Sequence, residues 1–237
     1  MALERLVIPS LDDDDAVVLR RARARRLRGL YALTPETTDT ARLGAIVAAA
    51  LDGGAAAVQY RAKNASAALR IEQARLLARI LAARGGVYIV NDDAELARAV
   101  GADGVHLGAD DGDIAAARAV LGPERLIGVS CYGDLARARA AVGQGADYVA
   151  FGSFFPSSTK PQARRAEPAV LGAARSLGVP VVAIGGITAG NAGTLVDAGA
   201  DSLAVIADVF DHEDPEDVRI AADAIARLHA RHTRGET

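Results

Sequence analysis

The chain has 237 residues, 51% of them hydrophobic, with a formal net charge of -3. That length suits one large domain or two small ones, and no apolar run approaches the roughly eighteen residues of a membrane span. The absence of a basic surplus excludes a general nucleic-acid binder, and the single cysteine, Cys131, excludes an internal disulfide and a multi-cysteine metal site.

The first 27 residues differ from the rest. Asp12 to Asp15 form an acidic run and Arg20 to Arg28 a basic one. Residues 1–27 are expected to be a solvated, helical extension, and 28–237 the folded domain. The acidic start lacks the charged, apolar, small-residue pattern of a secretory leader, so a cytoplasmic protein is expected.

From Leu30 onward short apolar runs alternate with helical spacing. Strands are predicted at 30–34, 56–61, 87–90, 104–107, 126–130, 147–151, 179–184 and 202–206. They are apolar almost throughout, as parallel strands covered on both faces should be. Between them, segments such as "SAALRIEQARLLARILAARGG" repeat apolar residues every three or four positions and end on glycine. Gly-Ala-Asp recurs at 101–103, 145–147 and 199–201, and "GGAAAV" at 53–58 is a worn relative. These fall before strands two, four, six and eight. Eight strand–helix units marked in this way predict an α/β fold, a (β/α)8 barrel of the TIM type. A doubly wound open sheet is the alternative, but its usual glycine-rich first loop is missing from "TPETTDT".

In such a barrel the active site lies at the C-terminal ends of the strands. Gln59, Arg61 and Lys63 alternate after strand two, so an extended chain turns all three to the barrel mouth. Arg61 offers a planar fork and Lys63 a point charge, both suited to phosphate. Only Lys63 and Lys160 are lysines among 27 basic residues. Lys160 ends the loop "FFPSSTKP", where Ser157, Ser158 and Thr159 add hydroxyls. Gly185 and Gly186 after strand seven, and Ile206 and Ala207 after strand eight, stand where this fold usually binds phosphate. Asp92 and Asp111 follow adjacent strands. Beside phosphates, a carboxylate pair suggests Mg2+, which is held by one or two carboxylates plus substrate oxygens.

Plainer explanations compete. Asp92 with Glu95 resembles a helix cap, and Asp111 could cap the next helix. His106 reads as a hydrogen-bonded structural histidine. Ser130 and Cys131 end a strand with no identifiable partner for nucleophilic catalysis.

These pieces together resemble the thiamine-phosphate synthase family over roughly residues 28–210. The resemblance rests on "GLYALT", "VQYRAKN", "VNDDAELA", "GADGVHLGADD", "IGVSCY", "ADYVAFGSFFPSSTKP", "VPVVAIGGIT" and "AVIADVF". It implies a transferase that joins a pyrimidine methyl diphosphate to a thiazole phosphate and releases pyrophosphate. It implies that Gln59, Arg61, Lys63 and Asn91 contact the pyrimidine diphosphate, with Ser130 and Lys160 on the same diphosphate. It implies Mg2+ on Asp92 and Asp111, and Ser157, Thr159, Gly186, Ile206 and Ala207 around the thiazole phosphate. Ala109 stands where the family often has Gln, and Ala207 where Ser is common. Tyr132 and Ser153 also depart from more usual residues. Rival expectations are a thiazole tautomerase on the same barrel, a Schiff-base aldolase, and a non-catalytic binding protein.

Overall fold

A computed structural model of the chain describes residues 13–108, 113–156 and 165–234. Asp111, Ser157, Ser158, Thr159, Lys160 and Ala109 lie outside the described residues. Eight strands form one closed parallel barrel in chain order. They are β1 (Gly29–Leu33), β2 (Ala57–Tyr60), β3 (Val87–Asn91), β4 (Gly104–Leu107), β5 (Leu126–Tyr132), β6 (Tyr148–Gly152), β7 (Val181–Ile184) and β8 (Ser202–Val205). All eight predicted strands are present, with ends displaced by two residues or fewer. The helices among the described residues are α1 (Asp13–Ala24), α2 (Thr40–Asp52), α3 (Ala67–Arg84), α4 (Ala94–Val100), α5 (Ile114–Leu121), α6 (Leu135–Gly143), α7 (Ala169–Ala174), α8 (Ala192–Asp197), α9 (Ala207–Phe210) and α10 (Pro215–Arg234).

Strand alternation divides the core in two. One face of each strand, with Leu30, Val58, Val90, Val105 and Phe151 among others, packs against the surrounding helices. The other face fills the barrel with Tyr31, Ala57, Ile89, Leu126, Tyr148 and Val182. The register keeps inward residues together: Leu33 pairs with Gln59, Gln59 with Ile89, Asn91 with His106, and His106 with Gly128. On β2 to β5, polar residues (Gln59, Asn91, His106 and Ser130) therefore occupy inward positions near the C-terminal ends.

The Gly-Ala-Asp repeat has a physical cause. Gly101, Gly145 and Gly199 all have positive φ, between 72° and 110°, which a glycine adopts without penalty. Each following aspartate then binds the strand that precedes its own. Asp103 accepts from the N–H of Tyr88, Asp147 from Ile127 and Asp201 from Val181, at 2.9 to 3.0 Å. The worn copy keeps only the backbone bond, Ala56 N–H to the Leu30 carbonyl at 2.9 Å. The barrel is thus tied in successive strand pairs.

The same aspartates anchor the N-terminal helix. Arg20 Nε lies 2.7 Å from Asp147, Arg23 Nε 3.8 Å from Asp103, and the Arg28 guanidinium 3.4 Å from Asp201. Ala16, Ala24 and Leu27 are buried, and Ala24 and Leu27 join the interior cluster at the base of the barrel. A solvated extension describes only the outer face of this segment, where Val18 and Leu19 are exposed. The arginine run is spaced to meet the repeat. No helix among the described residues is long and apolar enough to cross a membrane.

Candidate active site

The inward polar residues open into a cavity of about 1420 Å3 at the C-terminal end of the barrel. Its wall holds Gln59, Arg61, Lys63, Asn91, Asp92 and Ser130 on the β2 to β5 side. Gly186, Ile206 and Ala207 line the β7 to β8 side. Alternation after β2 does turn Gln59, Arg61 and Lys63 to one space. Asp111, Ser157, Ser158, Thr159 and Lys160, the remaining residues singled out in the sequence, are outside the described residues.

Two residues of the loop after β1 set the path of the basic segment. Thr34 Oγ1 accepts from the N–H of Arg61 at 2.9 Å. Glu36, also after β1, accepts from the N–H of Lys63 at 2.7 Å and of Asn64 at 3.2 Å. The Arg61 guanidinium is 3.8 Å from the same carboxylate. Asn64 thus bonds back to Glu36 through both backbone and side chain and does not line the cavity.

Asp92 does not cap α4. Asp93 does, accepting from the N–H of Leu96 at 2.8 Å. Asp92 takes a left-handed backbone, φ 61°, uncommon outside glycine though tolerated by Asp. Its N–H is held by the His106 carbonyl at 2.8 Å. The carboxylate is left at the mouth, 3.2 Å from Lys63 Nζ and hydrogen-bonded by Asn91 Nδ2. Asp113 caps α5 through the N–H of Ala115. Among the described residues no three His, Cys, Asp or Glu side chains cluster as a metal cage. One hard carboxylate on the cavity wall beside Lys63, its Oδ1 also accepting the Gly108 N–H at 3.3 Å, fits a hard divalent ion that completes its shell with water and substrate oxygens.

Ser130 has a partner after all. His106 Nε2 lies 2.9 Å from Ser130 Oγ, and His106 Nδ1 3.1 Å from the Tyr148 hydroxyl. The Tyr148 and Tyr31 hydroxyls are 3.0 Å apart, and Gln59 Nε2 donates to Tyr31 at 2.9 Å. This is not a nucleophile triad. The far side of the imidazole meets a phenol and not a carboxylate, and burial pushes the His106 pKa down to about 4, with Asp92 opposing. So weak a base takes little from a serine at neutral pH. Burial also pushes the Cys131 thiol up to about 12, so it stays protonated and inert.

Gly185 and Gly186 serve packing first. A Cβ on Gly185 would lie 2.1 Å from Ser153 Oγ, and one on Gly186 2.2 Å from the Pro156 carbonyl. Their bareness lets the β6 loop close onto β7, with Phe155 N–H bonded to the Gly185 carbonyl at 3.0 Å. Ser153 Oγ is spent on the Phe155 carbonyl at 3.0 Å. Tyr132 is half exposed at the rim, its ring 5.7 Å from the Arg137 guanidinium. Sequence reasoning missed Tyr31, Glu36 and the His106 contact. Inward alternation on β1 could have found Tyr31, but nothing local marks the other two.

Residues 30–209 match the family described as thiamine monophosphate synthase. A thiamine-phosphate synthase of Chromobacterium violaceum is 56% identical over 201 residues, covering 85% of this chain and 96% of that protein. One from Thiobacillus denitrificans is 58% identical over 203 residues, covering 85% and 95%. The solved thiamine phosphate pyrophosphorylase of Pyrococcus furiosus superposes with a TM-score of 0.77 at 35% identity, over 88% of this chain and 98% of that one. A closed barrel with this mouth, matched along nearly its whole length, has one consequence: the chain belongs to the thiamine monophosphate synthase family.

Proposed function

We propose that the barrel of residues 28–237, with residues 1–27 outside the catalytic unit, joins a pyrimidine methyl diphosphate to a thiazole phosphate. The products are thiamine phosphate and pyrophosphate. Family membership supports the reaction. The observation that carries the site is the gathering of Gln59, Arg61, Lys63, Asn91, Asp92 and Ser130 on one wall of a cavity whose far side is Gly186, Ile206 and Ala207.

The pyrimidine amino group can feed electrons into the ring, so the exocyclic C–O bond can break before the new C–N bond is complete. Arg61 and Lys63, joined by Lys160 and Ser130, attract the departing diphosphate in a site arranged beforehand. Gln59 and Asn91 hold the pyrimidine. Gly186, Ile206 and Ala207, with Ser157, Ser158 and Thr159, hold the thiazole phosphate and so bring its ring nitrogen to the carbon. Ala207 brings no hydroxyl, so its contact is the backbone N–H. Asp92 and Asp111 would hold Mg2+, which when bound neutralises charge on the diphosphate oxygens. Lys63, paired to Asp92 at 3.2 Å, is placed to follow that carboxylate onto the same anion. An aldolase reading finds no support on β6, whose sequence Tyr148–Gly152 carries no lysine. A cytoplasmic location suits small phosphorylated substrates.

The test is a coupled pyrophosphate assay on the purified chain with each substrate alone, both together, and both with EDTA. Release is expected only with both substrates, lost in chelator and restored by Mg2+. A folded protein that releases none from the full mixture would sink the reading. Full release in EDTA would remove Asp92 and Asp111 from metal binding.

A further inference from the structure

Resting on that reading, we propose that Ser130, His106, Tyr148, Tyr31 and Gln59 form one directional hydrogen-bonded chain through the barrel, in which His106 is the positioning residue that turns Ser130 into a donor to the diphosphate.

The links follow without a gap. Ser130 Oγ to His106 Nε2 is 2.9 Å, His106 Nδ1 to Tyr148 is 3.1 Å, Tyr148 to Tyr31 is 3.0 Å, and Tyr31 to Gln59 Nε2 is 2.9 Å. A neutral imidazole has one N–H and one acceptor nitrogen, and each hydroxyl has one hydrogen. A hydroxyl oxygen can also accept twice, but when every hydroxyl hydrogen is used within the chain the hydrogens all run the same way. Two directions exist. In the first, the Gln59 amide donates to Tyr31, Tyr31 to Tyr148, Tyr148 to His106 Nδ1, and His106 Nε2–H to Ser130. The Ser130 hydrogen is then free for the cavity, and the Gln59 carbonyl oxygen faces it too. In the second, the Ser130 hydrogen is consumed by His106, and a flipped Gln59 shows N–H to the cavity.

Ser130 and Gln59 at the two ends line the cavity, as do His106 and Tyr31, and Tyr148 in the middle does not. One end meets the diphosphate and the other the pyrimidine in the proposed complex. A diphosphate only accepts, so it selects the first direction. An amino-substituted pyrimidine offers N–H to a carbonyl oxygen, which selects the same direction from the other end. Both demands come from one molecule, so a ligand with only one of them sets the chain less firmly. Loss of pyrophosphate removes one of the two biases. The fold makes room for the middle link: a Cβ on Gly128 would lie 1.9 Å from Tyr148 Cζ.

The experiment reads the imidazole directly. The full chain, labelled with 15N-histidine, is titrated with magnesium pyrophosphate and followed by NMR. The His106 signal is assigned by its disappearance in His106→Gln. The bound protein is expected to hold His106 as the Nε2–H tautomer; a bound protein with the Nδ1–H tautomer overturns the proposal. His106→Leu is expected to weaken pyrophosphate binding by roughly tenfold. His106→Gln, whose amide N–H can replace Nε2–H, should recover most of it. Equal impairment of both variants overturns the positioning role. Tyr148→Phe removes a hydroxyl that no ligand touches, and is expected to mix the tautomers and weaken binding several-fold; an unaltered tautomer and affinity would refute the chain. A wild-type protein that binds no pyrophosphate overturns the functional reading itself, whereas binding with the wrong tautomer overturns this inference alone.

Discussion

The Glu36 carboxylate accepts two successive backbone N–H groups, of Lys63 and Asn64, so an acid on the β1 loop sets the course of the basic segment after β2. Glu36→Gln leaves one oxygen and one amide nitrogen where two acceptors stood, and one N–H must then face another donor. Loss of one such bond costs about 1 kcal/mol. Pyrophosphate affinity is expected to fall roughly fivefold, while the melting temperature moves by less than about 4 °C. Titration calorimetry and a thermal melt read the two quantities, and unchanged affinity would deny Glu36 the positioning role. At this scale the sequence is uneven. Gln59, Arg61 and Lys63 were legible because alternation is local. Glu36 was not, because its partners lie 27 and 28 residues on. Asp92 was legible as an acid near the mouth, but its choice between cap and cavity depended on its neighbour Asp93 taking the cap.

Between elements, the Asp147 carboxylate joins three partners. It accepts from the Ile127 N–H and the Arg118 guanidinium, and pairs with Arg20 of α1, within 2.7 to 2.9 Å. It is 9% exposed, so solvent screens these contacts little. Asp147→Ala would strand two cations and a strand N–H, a loss of about 3 kcal/mol or more. Arg20→Ala leaves Arg118 in place and should cost about 1 kcal/mol. Urea denaturation is expected to rank them in that order, and an Arg20→Ala midpoint equal to that of the wild type would show that α1 adds nothing through this carboxylate. The repeat itself was visible in the chain, since glycine ends a helix and the aspartate follows at a constant offset. Its use was not, because the bond runs to the neighbouring strand some 15 to 20 residues back.

For the whole molecule, closure of eight parallel strands removes every sheet edge and encloses the imidazole of His106. Its folded pKa, about 4, lies below the ordinary 6.5. Between those values the unfolded chain binds a proton that the folded barrel refuses. This contribution to stability is complete above about pH 6.5 and declines as pH falls toward 4, by up to about 3 kcal/mol. Burial lowers the His229 pKa as well, which adds in the same direction. Urea midpoints measured from pH 7.5 to 4.5 should fall less steeply for His106→Gln than for the wild type. Parallel slopes would mean that His106 does not carry the effect.

The sequence alone determined the barrel class, the eight strands and the inward face of β2, because each depends on periodicity within a few residues. It also placed the glycine turns, since a positive φ is a local demand. Only the tertiary structure decided that Ser130 meets His106, that Tyr148 and Tyr31 touch across the interior, and that the arginine run of α1 finds the repeat aspartates. Those side chains start between 24 and 173 residues apart. What brings them within 3.8 Å is the register of a closed sheet, and no single strand encodes it.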